Sequence, residues 1–209
     1  MHCSYSQLIG VKILNYDFNV LQLIPLVDSH KRCIVGVDGL SRSGKTTFTE
    51  KLSDYLKKED IKYVIFHIDD HIVNRSQRYN TGFEEWYEYF YLQWDVAWLK
   101  EHFFENLKRS SHIDMSFYNK ETDTHEHKTI ILPKAGLIVV EGVFLQRKEW
   151  RNFFDKILFL DCSRERRFAR ETETTQRSRM KFETRYWKAE EYYINTFSPL
   201  QGADLVLRT

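Results

Sequence analysis

Cys33-Ile34-Val35-Gly36-Val37-Asp38-Gly39-Leu40-Ser41-Arg42-Ser43-Gly44-Lys45-Thr46-Thr47-Phe48 is the stretch whose reading decides the fold. Residues 33–37 form a short, uninterrupted apolar run, as in a strand buried on both faces. Residues 39–46 fit Gly-x-x-x-x-Gly-Lys-Ser/Thr at every fixed position. Each part of that pattern has its own physical role. Gly39 and Gly44 let backbone N–H groups curl around phosphate oxygens, with Ser41, Arg42, Ser43 and Thr47 lining the same turn. Lys45 reaches the outer phosphates of a triphosphate, and the Thr46 hydroxyl suits Mg2+. From Lys45 to Asp60, Phe48, Leu52, Tyr55 and Leu56 share one helical face. The positive end of that helix therefore points at the anion. With Gly near 7% of ordinary sequence, a chance match in a chain this long is on the order of one in a hundred.

Outward from this stretch, more apolar runs alternate with helical patterns. Ile61–Ile68, Leu137–Val140 and Ile157–Leu160 read as buried strands, and Asp204–Leu207 as a short last one. Phe83–Leu107 has helix length and a dense aromatic face, while Glu183–Thr196 reads as a helix. Ile113–Tyr118 and Lys128–Leu132 flank a polar turn and predict a β-hairpin insert at about 112–132. Strands alternating with helices predict an α/β domain, a three-layer sandwich around a central, mainly parallel sheet. Ligands in that architecture bind at the carboxyl ends of the strands. Here those ends carry Asp38, Asp69, Glu141 and Asp161.

The 209 residues suit one domain of 32–209, preceded by an N-terminal extension of 1–31. Charges nearly cancel, 31 Lys+Arg against 30 Asp+Glu, which argues against a nucleic-acid or anionic-membrane binder. The apolar stretch Leu8–Val27 is broken by Lys12, Asn15, Asp17, Asn19, Gln22 and Pro25, so it reads as neither a spanning helix nor a signal peptide. Cys3, Cys33 and Cys162 are widely spaced and read as reduced thiols, consistent with a cytoplasmic location. His125 and His127 lack the partner spacing of a metal site.

A phosphate loop alone does not specify a reaction. A guanine-reading Asn-Lys-x-Asp is missing, since Asn119-Lys120-Glu121-Thr122 ends in Thr, and no transporter signature follows. Asp69-Asp70 closes the second strand, where a carboxylate can take a proton from a hydroxyl acceptor and help hold the metal. The same acids could instead cap a helix or face solvent. Glu141, followed by Gly142, fits an outer ligand of Mg2+ or an ordinary strand-end acid.

Gly36–Thr47, the strand ending in Asp69-Asp70, and Val140-Glu141-Gly142-Val143-Phe144-Leu145 together resemble the uridine kinase, phosphoribulokinase and nicotinamide riboside kinase group of P-loop kinases. The resemblance covers about residues 32–208. It implies a P-loop NTPase fold and transfer of the γ-phosphoryl of ATP, or GTP, with Mg2+, to a hydroxyl of a small molecule, a nucleoside being the favoured acceptor. It assigns Asp69 as catalytic base, with Thr46, Asp69 and Glu141 toward the metal and Asp70 and Tyr118 toward the acceptor. An arginine-rich lid of about 163–183 would bring Arg166, Arg167 and Arg170 to phosphate, with Arg177 and Arg179 further along. Few apolar residues there would anchor it, which predicts a mobile segment.

The departures bear on the acceptor. Uridine kinases usually follow the base with Ser-Phe-Tyr, whereas this chain has Asp70-His71-Ile72. The Asp-Asp pair is closer to nicotinamide riboside kinases, which lack the long hairpin. Tyr91-Leu92-Gln93-Trp94-Asp95-Val96 is similar to a stretch of those kinases that stacks an aromatic on the base and binds ribose hydroxyls through an Asp. That implies a riboside held by Trp94 and Asp95, although Trp94 in an aromatic helix also reads as core. Two other readings remain open at this point. One is an ATPase or switch module that binds a protein partner; the other is a kinase for pantothenate or a sugar phosphate.

Overall fold

The computed structural model describes residues 31–209. The expected N-terminal extension, apart from Lys31, and Cys3 lie outside the described residues. Five parallel strands form the central sheet in the order β2-β5-β1-β6-β7. They are β1 (Arg32–Gly39), β2 (Tyr63–His67), β5 (Gly136–Gly142), β6 (Lys156–Asp161) and β7 (Leu205–Arg208). Strands β3 (His112–Asn119) and β4 (Thr124–Ile131) pair antiparallel as a separate hairpin, as the sequence predicts.

The apolar strands are continuous because both faces of the sheet are covered. Successive residues point to opposite faces, so each strand feeds two cores. Ile34, Ile138, Val140, Ile157 and Phe159 join an aromatic-rich core on one face. Val35, Val37, Leu137, Val139, Leu158 and Leu160 join the other, where helix α1 (Lys45–Lys58) adds Phe48, Leu52 and Leu56. The aromatic face is covered by helices α2 (Glu85–Tyr91) and α4 (Lys188–Phe197), the latter burying Tyr193. Central β1 has β5 on one side and β6 on the other. The chain leaves β1 at the point where strand order reverses, which is where open α/β sheets bind ligands.

Two expectations need correction. Phe83–Leu107 is not one helix. After α2 the chain turns through Leu92–Asp95, resumes as a short turn at Val96–Trp98, widens over Leu99–Phe103 and ends in a tight turn, Phe104–Asn106. Side chains and distant backbone satisfy the groups freed at the break. The Arg147 guanidinium donates to the Phe90 carbonyl, Val73 N–H donates to Gln93 O, and Asp95 accepts from Trp98 N–H.

The arginine segment, secondly, carries an apolar anchor of its own where few apolar residues were expected. Ser163 caps α3 (Arg164–Ala169), and Phe168 packs edge-on against Phe182 and Trp187 at 5.1 and 5.5 Å. The anchoring rings lie at and beyond the segment's end. No helix among the described residues is long and apolar enough to cross a membrane.

Candidate active site

The phosphate loop links β1 to α1. Gly39 is required by close approach: a Cβ there would lie 2.6 Å from Ser43 Oγ and 2.8 Å from the Leu160 carbonyl. Arg42 takes a left-handed conformation at φ 62° and Gly44 at φ 100°, so the backbone curls into an anion-binding concavity. Helix α1 begins at Gly44 with no capping side chain and no acid in its first turn. Its orphan N–H groups are therefore available to an anion. Lys45 is buried, and its ammonium group donates to the Leu40 carbonyl at 3.1 Å.

A cleft of about 640 Å³ opens over the loop. Ser41, Arg42, Gly44, Lys45, Thr46 and Thr47 border it, together with Asp69, Glu141 and His67 at or just past neighbouring strand ends and Arg170 directly after α3. Asp69 lies in a tight helical turn, Ile68–His71, directly after β2. Glu141 is the next-to-last residue of β5, and Gly142 beside it has no room for a side chain. A Cβ there would fall 2.1 Å from Ile68 Cγ2, so the Glu-Gly pair lets β5 and the Asp69 turn approach each other.

Burial in the cleft pushes the Asp69 pKa up; Lys45 opposes this, while Glu141 and Asp70 add to it. His67 donates from Nδ1 to Glu141 Oε2 at 2.6 Å, and that bond, reinforced by the nearby aspartates, raises the histidine's pKa.

This donor set fits Mg2+. Among the described residues no group of three or more His, Cys, Asp or Glu side chains forms a metal cage. Mg2+ does not ask for one, because it binds through one or two oxygens plus phosphates and water. The Thr46 hydroxyl and the Asp69 and Glu141 carboxylates are hard oxygens bordering one cleft.

A second cleft, about 700 Å³, lies between the Asp69 turn and the hairpin. Asp69 and Asp70 border it on one side, and Phe117, Tyr118 and His125 on the other. Asp69 is thus common to both clefts. Tyr118 is fixed by its hydroxyl, which accepts from Arg78 Nη2 at 3.0 Å and donates to Asp123 Oδ1 at 2.9 Å.

Residues 34–199, more than half of the chain, match the phosphoribulokinase / uridine kinase family. The chain belongs to this family. Among curated relatives, a uridine kinase of Borrelia garinii subsp. bavariensis is 29% identical over 143 residues, 66% of this chain and 64% of that enzyme. The uridine kinase of Staphylococcus haemolyticus is 26% identical over 156 residues, covering 69% and 71% of the two chains. This chain therefore spans a little under two thirds of the length of the Borrelia enzyme. Among solved structures, one described as a possible uridine kinase from Bacillus stearothermophilus superposes with a TM-score of 0.80 at 46% identity, covering 92% of this chain and 96% of the other. Phosphoribulokinase from Rhodobacter spheroides shares the fold, with a TM-score of 0.62 at 16% identity over 86% and 71% of the chains.

Several residues read from the family pattern stand elsewhere. Trp94 is 2% exposed, donates from Nε1 to the Ile68 carbonyl and sits edge-on to Trp150 and Phe144. It is core, with no face left for a substrate. Asp95 caps the Val96–Trp98 turn and opens on a third, smaller cleft that shares Ile72 and His125 with the hairpin cleft.

Arg166 does not border the loop cleft; it donates to the Thr209 carbonyl. Arg167 is buried in an ion pair with Glu190, and Arg179 pairs with Glu183 at the surface. Ser43 turns its hydroxyl inward, away from the cleft. Asp38, at a strand end, is fully buried and accepts from Gly39 N–H, Gln146 and the Tyr193 hydroxyl, with its pKa raised by burial. Asp161 borders neither main cleft.

His67 and Glu190 were not singled out in the sequence. His67 stands two residues before Asp69, and that spacing at the end of a strand was the available signal.

Proposed function

We propose that this kinase moves the γ-phosphoryl of ATP to the 5′-hydroxyl of a nucleoside, with Mg2+ as cofactor. The observation that carries the reading is Asp69, which borders both the phosphate-loop cleft and the hairpin cleft. A carboxylate at that junction can take the proton of a hydroxyl entering from the hairpin side while the γ-phosphoryl approaches from the loop side.

The loop's N–H groups and Lys45 hold the β- and γ-phosphates, and Arg170 faces the charge that develops on transfer. Bound Mg2+ would supply charge neutralisation on the phosphate oxygens, held from Thr46, Asp69 and Glu141. His67, hydrogen-bonded to Glu141, fixes the orientation of that carboxylate.

The hairpin cleft supports a neutral acceptor. Four carboxylates, Asp69, Asp70, Glu121 and Glu126, border it against two lysines, and Lys128 is paired with Glu126 at 2.9 Å. A sugar phosphate or pantothenate would bring its negative charge beside that wall, at a cost that rises as water is excluded. A nucleoside carries none, and the Phe117, Tyr118 and His125 rings that border the cleft suit packing beside a planar base. The uridine kinase names of the relatives point the same way.

The test is phosphorylation by ATP of a panel: uridine, cytidine, adenosine, pantothenate and ribose 5-phosphate, with products resolved by chromatography. Nucleoside 5′-monophosphates are expected. Turnover confined to the anionic acceptors, or ADP formed with no phosphorylated acceptor, contradicts the reading.

A further inference from the structure

Four successive carbonyls of the phosphate loop are each held by a hydrogen bond. Leu40 O accepts from Lys45 Nζ and from Ser43 N–H, both at 3.1 Å. Ser41 O accepts from Arg167 Nη1 at 3.0 Å, Arg42 O from Arg170 Nη1 at 2.8 Å, and Ser43 O from Thr209 Oγ1 at 2.9 Å. Three of these donors come from the last quarter of the chain, more than a hundred residues from the loop. Carbonyls tied back in this way cannot turn toward an incoming phosphate, whose oxygens they would repel.

Ser41 is held most completely. Its N–H donates to Glu190 Oε1 at 3.0 Å, while its carbonyl accepts from Arg167. Arg167 and Glu190 are themselves paired at 2.8 Å, with 5% and 2% exposure, and Arg167 Nε also donates to the Cys162 carbonyl. One buried ion pair therefore grips both backbone polar groups of one loop residue. An ion pair is a costly way to fill a core, since apolar residues of similar volume serve stability as well or better. A buried carboxylate close to a phosphate site is also electrostatically adverse unless a cation neutralises it, and Arg167 does so.

We propose that Arg167 and Glu190 are positioning residues for the donor nucleotide, acting through Ser41 to hold the phosphate loop in its anion-binding shape before the nucleotide arrives. This assigns to Arg167 a role other than direct contact with phosphate. It rests on the loop holding the donor and is independent of the acceptor.

Three variants and one measurement on the unaltered protein test it. Binding is read by titrating N-methylanthraniloyl-ATP without acceptor, beside a thermal melt. Glu190→Gln keeps an oxygen for Ser41 N–H and should change donor affinity about threefold or less. Glu190→Leu removes that acceptor and should weaken donor binding about tenfold or more, the loss typical of a hydrogen bond to a charged group. Arg167→Met removes the donor to the Ser41 carbonyl together with the partner of Glu190, and should likewise weaken it about tenfold or more. A merely structural pair would lower the melting midpoint in all three while leaving affinity unchanged well below it. That result, or equal affinity for Glu190→Gln and Glu190→Leu, overturns the proposal.

Should Glu190→Leu fail to fold, amide exchange of the unaltered, nucleotide-free protein decides. The Ser41 amide should be protected relative to the Arg42 amide. Equal exchange at the two would show that Glu190 does not hold the loop.

Discussion

In the phosphate loop, the proposed donor-binding groups fall within eight consecutive residues, Gly39–Thr46, and include the uncapped N–H groups at the start of α1. Across Asp69, the hairpin cleft draws on the Asp69-Asp70 turn and on both strands of the hairpin, residues 117–128, and its groups are side chains. A backbone site needs a fixed local path, so its sequence signature is short and strict. A side-chain site needs only that a few groups converge, which many sequences achieve. The donor side is therefore written into a motif, and the acceptor side is visible only once the fold brings distant residues together.

The largest effect is expected where the two sides meet. Asp69→Asn should lower turnover about 10²–10⁴-fold, the usual span for a general base, while ATP binding by titration changes far less. Wild-type turnover in that variant would remove the junction from the mechanism. Lys45→Ala should cost about 10²–10³ in rate through lost charge stabilisation, with the folded state retained in a melting curve, because its ammonium contacts a loop carbonyl rather than the apolar core.

Asp70→Asn sharpens the contrast. It borders the hairpin cleft and not the loop cleft, so the acceptor KM should rise about tenfold while the ATP KM stays put. If both constants move together, the clefts are not separate. The smallest kinetic effect is expected from Asp95→Ala: loss of a helix cap, about 1 kcal/mol of stability, with both KM values near those of the parent. A selective rise in acceptor KM would instead return Asp95 to the acceptor site.

The same contrast explains what could be read in the sequence. Strands β1, β5 and β6 are continuous apolar runs because both sheet faces are covered, and the phosphate loop follows β1 directly, so the sheet and the place of the loop were both legible. The hairpin announced itself by two patterned runs around a polar turn. The break at Leu92–Asp95 did not. An aromatic-rich pattern continues through it, and the helix ends because Trp94 is drawn into the core toward the Ile68 carbonyl, a contact 26 residues away.

Glu190 sits beside Glu191 in α4, one buried and one exposed, and nothing in the local pattern separates them until Arg167 is brought alongside. Arg166 and Arg167 differ in the same way. Asp38 lies near the carboxyl end of β1, as Asp69 lies just past that of β2, yet Tyr193 and Gln146 enclose Asp38, so position at a strand's carboxyl end did not by itself mark chemistry.

If Asp69 joins a donor cleft to an acceptor cleft, a crystal structure with a non-hydrolysable ATP analogue and uridine will show it. The triphosphate is expected in the loop cleft, the nucleoside between Asp70 and Tyr118, and its 5′-hydroxyl within hydrogen-bonding distance of the Asp69 carboxylate. Uridine bound in the third cleft beside Asp95, or with its 5′-hydroxyl turned away from Asp69, would contradict it.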